Sequence, residues 1–167
     1  DRNTQIAYSK RTRDWNGLPG KAYWQNKGNY KIDISFDPTT RKIAGTAYID
    51  YYNNSPDTLK ILALKLYPNL YKANAMRNTS VSTGDLGEGM QISDLKVEGQ
   101  AIDSQNQVLR GTNMTIKGVQ LLPHTQSSLS INFNYTLNKG SFNRTGQIDE
   151  GTFFIAYFFP RITVYDD

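Results

Sequence analysis

The chain contains no cysteine, which excludes disulfides, thiolate metal sites and a cysteine nucleophile together. It has one histidine, His124, within Leu121-Leu122-Pro123-His124-Thr125. A lone imidazole cannot form the H-E-x-x-H zinc pair, and no Ser-His-Asp spacing stands around it, so His124 reads as a turn residue. No apolar run approaches the roughly 20 residues of a membrane-spanning helix. No charged segment followed by an apolar one opens the chain. Gly84, Gly87 and Gly89 lie close together, but they do not spell the G-x-x-x-x-G-K-[ST] phosphate loop. The adjacent acids are Asp149-Glu150 and Asp166-Asp167. Neighbours on a strand point to opposite faces, so neither pair reads as a general acid and base.

What is present is globular and aromatic. The 167 residues are 38% hydrophobic and 20% charged, the composition of one folded domain. Eleven tyrosines and seven phenylalanines favour strands. The net charge of +4 is uneven, with seven Lys/Arg and only Asp1 and Asp14 among residues 1–31. These basic residues are scattered without a recognition motif, so they read as a solvated lead-in rather than a nucleic-acid surface.

Residues 1–28 are polar and broken by Gly17, Pro19, Gly20 and Gly28, an arm expected to pack on the domain through Trp15, Tyr23 and Trp24. From residue 29 the period becomes two. Tyr30, Ile32, Ile34 and Phe36 share one face, and Asp37-Pro38-Thr39-Thr40 supplies a turn. Ile43, Gly45, Ala47, Ile49 and Tyr51 share the face of the returning strand. Residues 58–67 are apolar at nearly every position, the pattern of a strand buried on both faces. A short helix is expected near Leu70–Met76. Weaker strand signals recur at Ile92–Val97, Val108–Leu109, Met114–Ile116 and Val119–Leu122, and a strong one runs through Leu129, Ile131, Phe133, Tyr135 and Leu137. Phe153, Phe154, Tyr157, Phe158 and Phe159 lie too densely for a strand covered on one face; either both faces are buried or something outside this chain covers part of them. The fold class is all-β, an antiparallel β-sandwich with little helix, and residues 29–167 form one domain.

Several stretches, taken in order, resemble the N-terminal domain of the M1 (gluzincin) zinc aminopeptidases in a bacterial branch. They are Tyr23-Trp24-Gln25, Tyr30-Lys31-Ile32-Asp33-Ile34, Ile43-Ala44-Gly45-Thr46-Ala47-Tyr48-Ile49, Tyr52 to Leu59, Leu64-Lys65-Leu66-Tyr67-Pro68-Asn69, and Ala156 to Asp167. The resemblance implies a saddle-like sandwich, non-catalytic by itself, that supports a zinc peptidase domain of the same polypeptide and walls one side of its peptide-substrate cleft. It implies no cofactor in this chain, with zinc held by the neighbouring catalytic domain, since neither H-E-x-x-H nor G-x-M-E-N occurs here. The last segment resembles the junction to that domain, which makes Phe158, Phe159, Pro160, Arg161, Tyr165 and Asp166 candidate interdomain contacts. Family members often place a Gln or Glu upstream of the Phe-Pro pair to hold the substrate amine; Gln147 and Glu150 stand nearest here. The Asp-Glu-Pro that usually follows that pair is absent.

The alternative reading of the residues is a free-standing bacterial module, outside the cytoplasm, that binds carbohydrate or protein through exposed aromatics. The opening Asp1-Arg2-Asn3-Thr4 resembles a trimmed start, which leans towards a periplasmic or secreted location.

Overall fold

The computed structural model describes residues 2–141 and 143–166; Asp1 and Asp167, named above, lie outside them. A helix, α1 (Arg2–Ser9), is followed by eleven strands: β1 (Lys27–Asp37), β2 (Lys42–Asn53), β3 (Leu59–Lys65), β4 (Gln91–Val97), β5 (Gln100–Ala101), β6 (Gln107–Arg110), β7 (Asn113–Leu121), β8 (Thr125–Thr136), β9 (Thr145–Asp149), β10 (Thr152–Ile155) and β11 (Arg161–Ile162). One sheet runs β1-β2-β8-β4-β5 and the other β11-β3-β7-β6, while β9 and β10 form a separate hairpin. All the pairings are antiparallel. The fold is an all-β sandwich.

Alternation builds its core. Ile43, Ala47 and Ile49 of β2 and Leu129, Ile131 and Phe133 of β8 form one wall; Leu62 and Leu64 of β3 with Met114 and Ile116 of β7 form the other. Gly45 belongs to the first wall. A Cβ there would stand 2.4 Å from the Asp33 carbonyl oxygen and 3.0 Å from the Phe133 ring, so only glycine lets that ring and the edge strand close on β2.

Three expectations change on contact with the structure. First, β3 is covered on one face only: Leu59, Leu62 and Leu64 are buried, while Ile61 is 54% exposed. A register irregularity between Leu59 and Ile61 shifts the strand's phase, so apolar residues fall on consecutive positions without a second buried face. Its partner β7 shifts phase at Gly118 (φ +73°), which joins the two weak signals into one strand.

Second, the helical turn comes earlier than expected, as a 3₁₀ turn at Tyr67–Tyr71. Pro68 suits the first turn of a helix. Buried Asn69 then fixes the segment: its Oδ1 accepts the Met90 N–H at 2.7 Å and its Nδ2 donates to the Gly111 carbonyl at 3.2 Å.

Third, the aromatic-rich stretch 153–159 is not a single strand. It leaves β10 at Ile155 and bends at Tyr157, whose φ is +58°. Phe153 therefore packs edge-on to Phe36, Phe159 packs edge-on to Tyr30, and Phe154 points outward at 51% exposure. The bend spreads these side chains in several directions, so the stretch is not buried on both faces, and Phe154 is left for cover from outside this chain.

In the arm, α1 occupies residues read as irregular. Trp15 does not reach the sandwich; it meets Tyr8 of α1 at 4.5 Å between ring centroids and is 85% exposed. Trp24 does dock, on Tyr165. His124 is exposed in the β7–β8 turn at φ +56°. No helix among the described residues is long and apolar enough to cross a membrane.

Candidate functional site

Two features stand out, and both are organised by the segment after β10. The first is a seam along the side of the sandwich between the two sheet edges. There β11 adds to the edge of β3, with Arg161 opposite Lys65 and Ile162 opposite Leu64, and the Thr163 N–H donates to the Ala63 carbonyl at 2.8 Å. Across the gap, the Ile162 N–H donates to the Tyr30 hydroxyl at 3.1 Å. Trp24 stacks on Tyr165 at 5.6 Å, and the Tyr165 hydroxyl donates to Asp57 Oδ2 at 2.8 Å. That carboxylate holds the Tyr165 phenol pKa above its ordinary value. Asn26 completes the seam: its Oδ1 accepts the backbone N–H groups of Asn54 and Ser55, and its Nδ2 donates to Tyr51.

Of the six residues expected to contact another domain, Pro160 is buried and Phe158 and Phe159 are half-buried against the core. Arg161, Tyr165 and Asp166 are exposed, and Val164, in the same motif but not among the six, is 88% exposed. Gln147 is half-buried in β9 and donates to the Asp149 carbonyl at 3.1 Å; Glu150 is exposed at the β9–β10 turn.

The second feature is a cavity of about 380 Å³ between the 3₁₀ turn, the end of β8, the start of β9 and the bend after β10. Four tyrosines line it: Tyr67, Tyr71, Tyr135 and Tyr157. Tyr67 and Tyr157 lie 4.9 Å apart with their rings tilted. Pro68, Leu70, Leu137 and Ala156 add apolar wall, and Arg144 is the one charged residue of the lining among the described residues. Neither Gln147 nor Glu150 belongs to that lining. The Arg144 guanidinium lies 5.3 Å from the Tyr157 ring centroid and donates to the Tyr157 hydroxyl. Asn143, Arg144 and Tyr157 all hold left-handed φ values, 50°, 61° and 58°. Strained non-glycine backbone of this kind persists only where its surroundings enforce it.

The polar groups beneath are largely committed to each other. The Tyr71 hydroxyl meets Thr145 Oγ1 at 2.7 Å, Thr145 Oγ1 donates to Asn138 Oδ1 at 2.9 Å, and Asn138 Nδ2 donates to the Thr145 and Gly140 carbonyls. Gly146, at φ +114°, permits this closure, since a Cβ there would stand 2.0 Å from the Gly140 oxygen. Tyr135 is the exception: it is 6% exposed and its hydroxyl finds no hydrogen-bond partner among the described residues.

Burial raises the phenol pKa of Tyr135, and of Tyr71 and Tyr51, above the usual value near 10. A phenol whose pKa is higher folded than unfolded contributes stability below pH 10, which is lost as pH rises further. Tyr135→Phe removes a buried unpartnered hydroxyl without changing ring shape. It is expected to stabilise the chain by about 1 kcal/mol at neutral pH. The advantage should widen above pH 10, where the parent loses its Tyr135 contribution. Urea denaturation at neutral pH and at pH 10.5 reads both, and a destabilised variant at neutral pH would show that the hydroxyl is satisfied after all.

Among the described residues, no three His, Asp or Glu side chains gather closely enough to hold a metal ion.

No protein-family model matches the chain, and no curated protein matches it. It is similar to solved structures of M1 zinc metallopeptidase mutants, the first two below from Deinococcus radiodurans. One, bound to a Tyr-Ser-Ala substrate, is 13% identical at a TM-score of 0.46, covering 74% of this chain and 23% of that one. A second, of the same mutant, is 13% identical at a TM-score of 0.46, covering 75% of this chain and 24% of that one. A third, a two-domain M1 zinc metallopeptidase mutant bound to L-tryptophan, is 13% identical at a TM-score of 0.46 and covers 77% and 24%. The chain thus spans about a quarter of the length of these structures.

Proposed function

We propose that this chain is the non-catalytic N-terminal domain of an M1-type zinc metallopeptidase, supporting the peptidase domain and walling one side of its substrate cleft. The observation that carries this reading is the seam. The motifs that resemble the family lie up to about 140 residues apart in sequence, yet they touch one another along it. Trp24 meets Tyr165, Tyr165 meets Asp57, Tyr30 meets Ile162, and Lys65 pairs with Arg161. A set of short motifs that forms one contact network has a shared physical task, here to hold the segment 156–166 along the sandwich. Phe158, Phe159 and Pro160 anchor that segment inward, while Arg161, Val164, Tyr165 and Asp166 are presented to the neighbouring domain. Glu150 and Gln147 remain the candidates for contact with a substrate amine, Glu150 being the more accessible.

The test is the coding sequence beyond Asp167. An open frame carrying H-E-x-x-H and a later glutamate within a few hundred codons is the expected result. A frame that closes at once, or stoichiometric tight zinc in the purified 167-residue chain, overturns the proposal.

A further inference from the structure

We propose that the tyrosine-lined cavity is a binding site for a small organic anion with a flat apolar body, of the aromatic carboxylate class. The site is built from this chain alone and does not depend on a neighbouring peptidase domain. Three observations define the ligand. Size comes first: about 380 Å³ is at the small end of ligand pockets and has room for a molecule with a single ring and a short side chain.

Polarity comes second. Asn138, Thr145 and Tyr71 hydrogen-bond to one another or to nearby carbonyls, which leaves the Tyr135 hydroxyl and few other groups for a ligand covered in hydroxyls. A sugar would leave most of its hydroxyls dry and unpartnered there, at a cost that stacking on tyrosine does not offset. An apolar ring, by contrast, needs only the faces of Tyr67 and Tyr157 and the side chains of Leu70 and Ala156.

Charge decides the third point. Arg144 is the only ionised residue in the lining among the described residues, and its planar guanidinium suits a carboxylate through two parallel hydrogen bonds. The acid behind the site, Asp85, is engaged by the Gly140 N–H at 2.5 Å and lies outside the lining. Arg144 rests against the Tyr157 ring and is exposed to solvent, so the cation stands at the cavity mouth. A carboxylate entering ring-first would place its charge at that mouth.

The experiment uses the 167-residue chain with phenylacetate as the probe, by isothermal titration and saturation-transfer NMR. Phenylacetamide serves as its uncharged counterpart and glucose as the sugar. Phenylacetate is expected to bind saturably at millimolar concentration or below, the range open to a ligand of about ten non-hydrogen atoms. Phenylacetamide should bind about tenfold more weakly, and Arg144→Gln should weaken phenylacetate by a similar factor, the usual effect of losing a charge-assisted hydrogen bond. Arg144 is exposed, so this variant should fold; the far-ultraviolet circular dichroism spectrum checks that it does. Tyr67→Ala, which removes one aromatic wall, should weaken both aromatic probes alike. No saturable phenylacetate binding at 10 mM, about the weak limit for such a ligand, overturns the proposal. So does equal binding of acid and amide, an Arg144→Gln variant that binds as tightly as the parent, or glucose binding in preference to phenylacetate.

Discussion

Phe133→Ala is expected to destabilise the chain by about 4 kcal/mol, the range for truncating a fully buried aromatic side chain. Phe133 is 2% exposed and sits on the inner face of β8. Its row across the sheet is Ile34, Gly45, Phe133 and Ile92, and its ring reaches to 3.0 Å from where a Cβ on Gly45 would stand. The ring therefore fills the space that glycine leaves, and its removal opens a void with a bare backbone floor. The void should not be refillable from Gly45, because a Cβ there meets the Asp33 carbonyl oxygen at 2.4 Å whatever stands at 133. The double variant Gly45→Ala, Phe133→Ala should thus be less stable than Phe133→Ala alone. Against a typical domain stability of about 5–15 kcal/mol, a loss of this size is easily read from the shift in the denaturation midpoint. A loss under about 1 kcal/mol, or rescue by the alanine at 45, would show that the two sheets are not held by this row.

Asn53→Ala comes next, at about 3 kcal/mol. Asn53 is fully buried at the end of β2. Its Nδ2 donates to the carbonyls of Asp57, Leu121 and Leu122 at 2.8, 3.1 and 3.0 Å, and its Oδ1 accepts the Ser55 hydroxyl at 2.6 Å. One amide thereby closes the turn after β2 and ties it to the end of β7. Alanine leaves buried acceptors without donors, each costing about 1–3 kcal/mol when water cannot reach it. Asn53→Asp tests the same claim with opposite chemistry, since it turns a carboxylate towards three carbonyl oxygens. Its pKa should be raised in the folded state, so the variant should be more stable at acidic pH and lose stability as pH rises. An Asn53→Asp variant with parent-like stability at pH 7 would mean that the amide's donors are not needed.

The strands were the most legible part of the molecule. From Ile43 to Tyr51 in β2, Gly45 apart, and from Leu129 to Tyr135 in β8, every second residue is apolar, and those residues form the inner face, because a pleated strand sends alternate side chains to opposite sides. Legibility fell where the backbone departs from the regular pleat. β3 read as doubly buried because the irregular register with β7 puts Leu59 and Leu62 on one face, and such a shift has no reliable signature in composition. The β1 face was legible, but its exposure was not: Tyr30 and Ile34 share the core face and are still 36% and 47% exposed, because β1 is an edge.

The candidate sites divide the same way. Residues 156–165 were legible as a motif, and the structure adds which of them turn inward. The cavity was out of reach. Its tyrosines come from separated stretches, and Asn143 and Arg144 carried no signal beyond one charge in a polar loop. Gly146 offered the nearest hint, as a glycine beside that loop, but glycine in a loop is too common to single out.

By itself, the sequence determined the alternating strands and the want of cysteine and of a second histidine, since those are properties of each segment or of a simple count. Tertiary structure alone decided which strand lies at an edge, where β3 changes phase, which motif residues meet in the seam, and that tyrosines from three separate stretches enclose one cavity with Arg144 at its mouth. The physical reason is range. Side-chain direction along a strand is set by the two neighbouring peptide units, whereas burial and proximity are set by segments up to about 140 residues away, whose placement depends on the whole core closing at once.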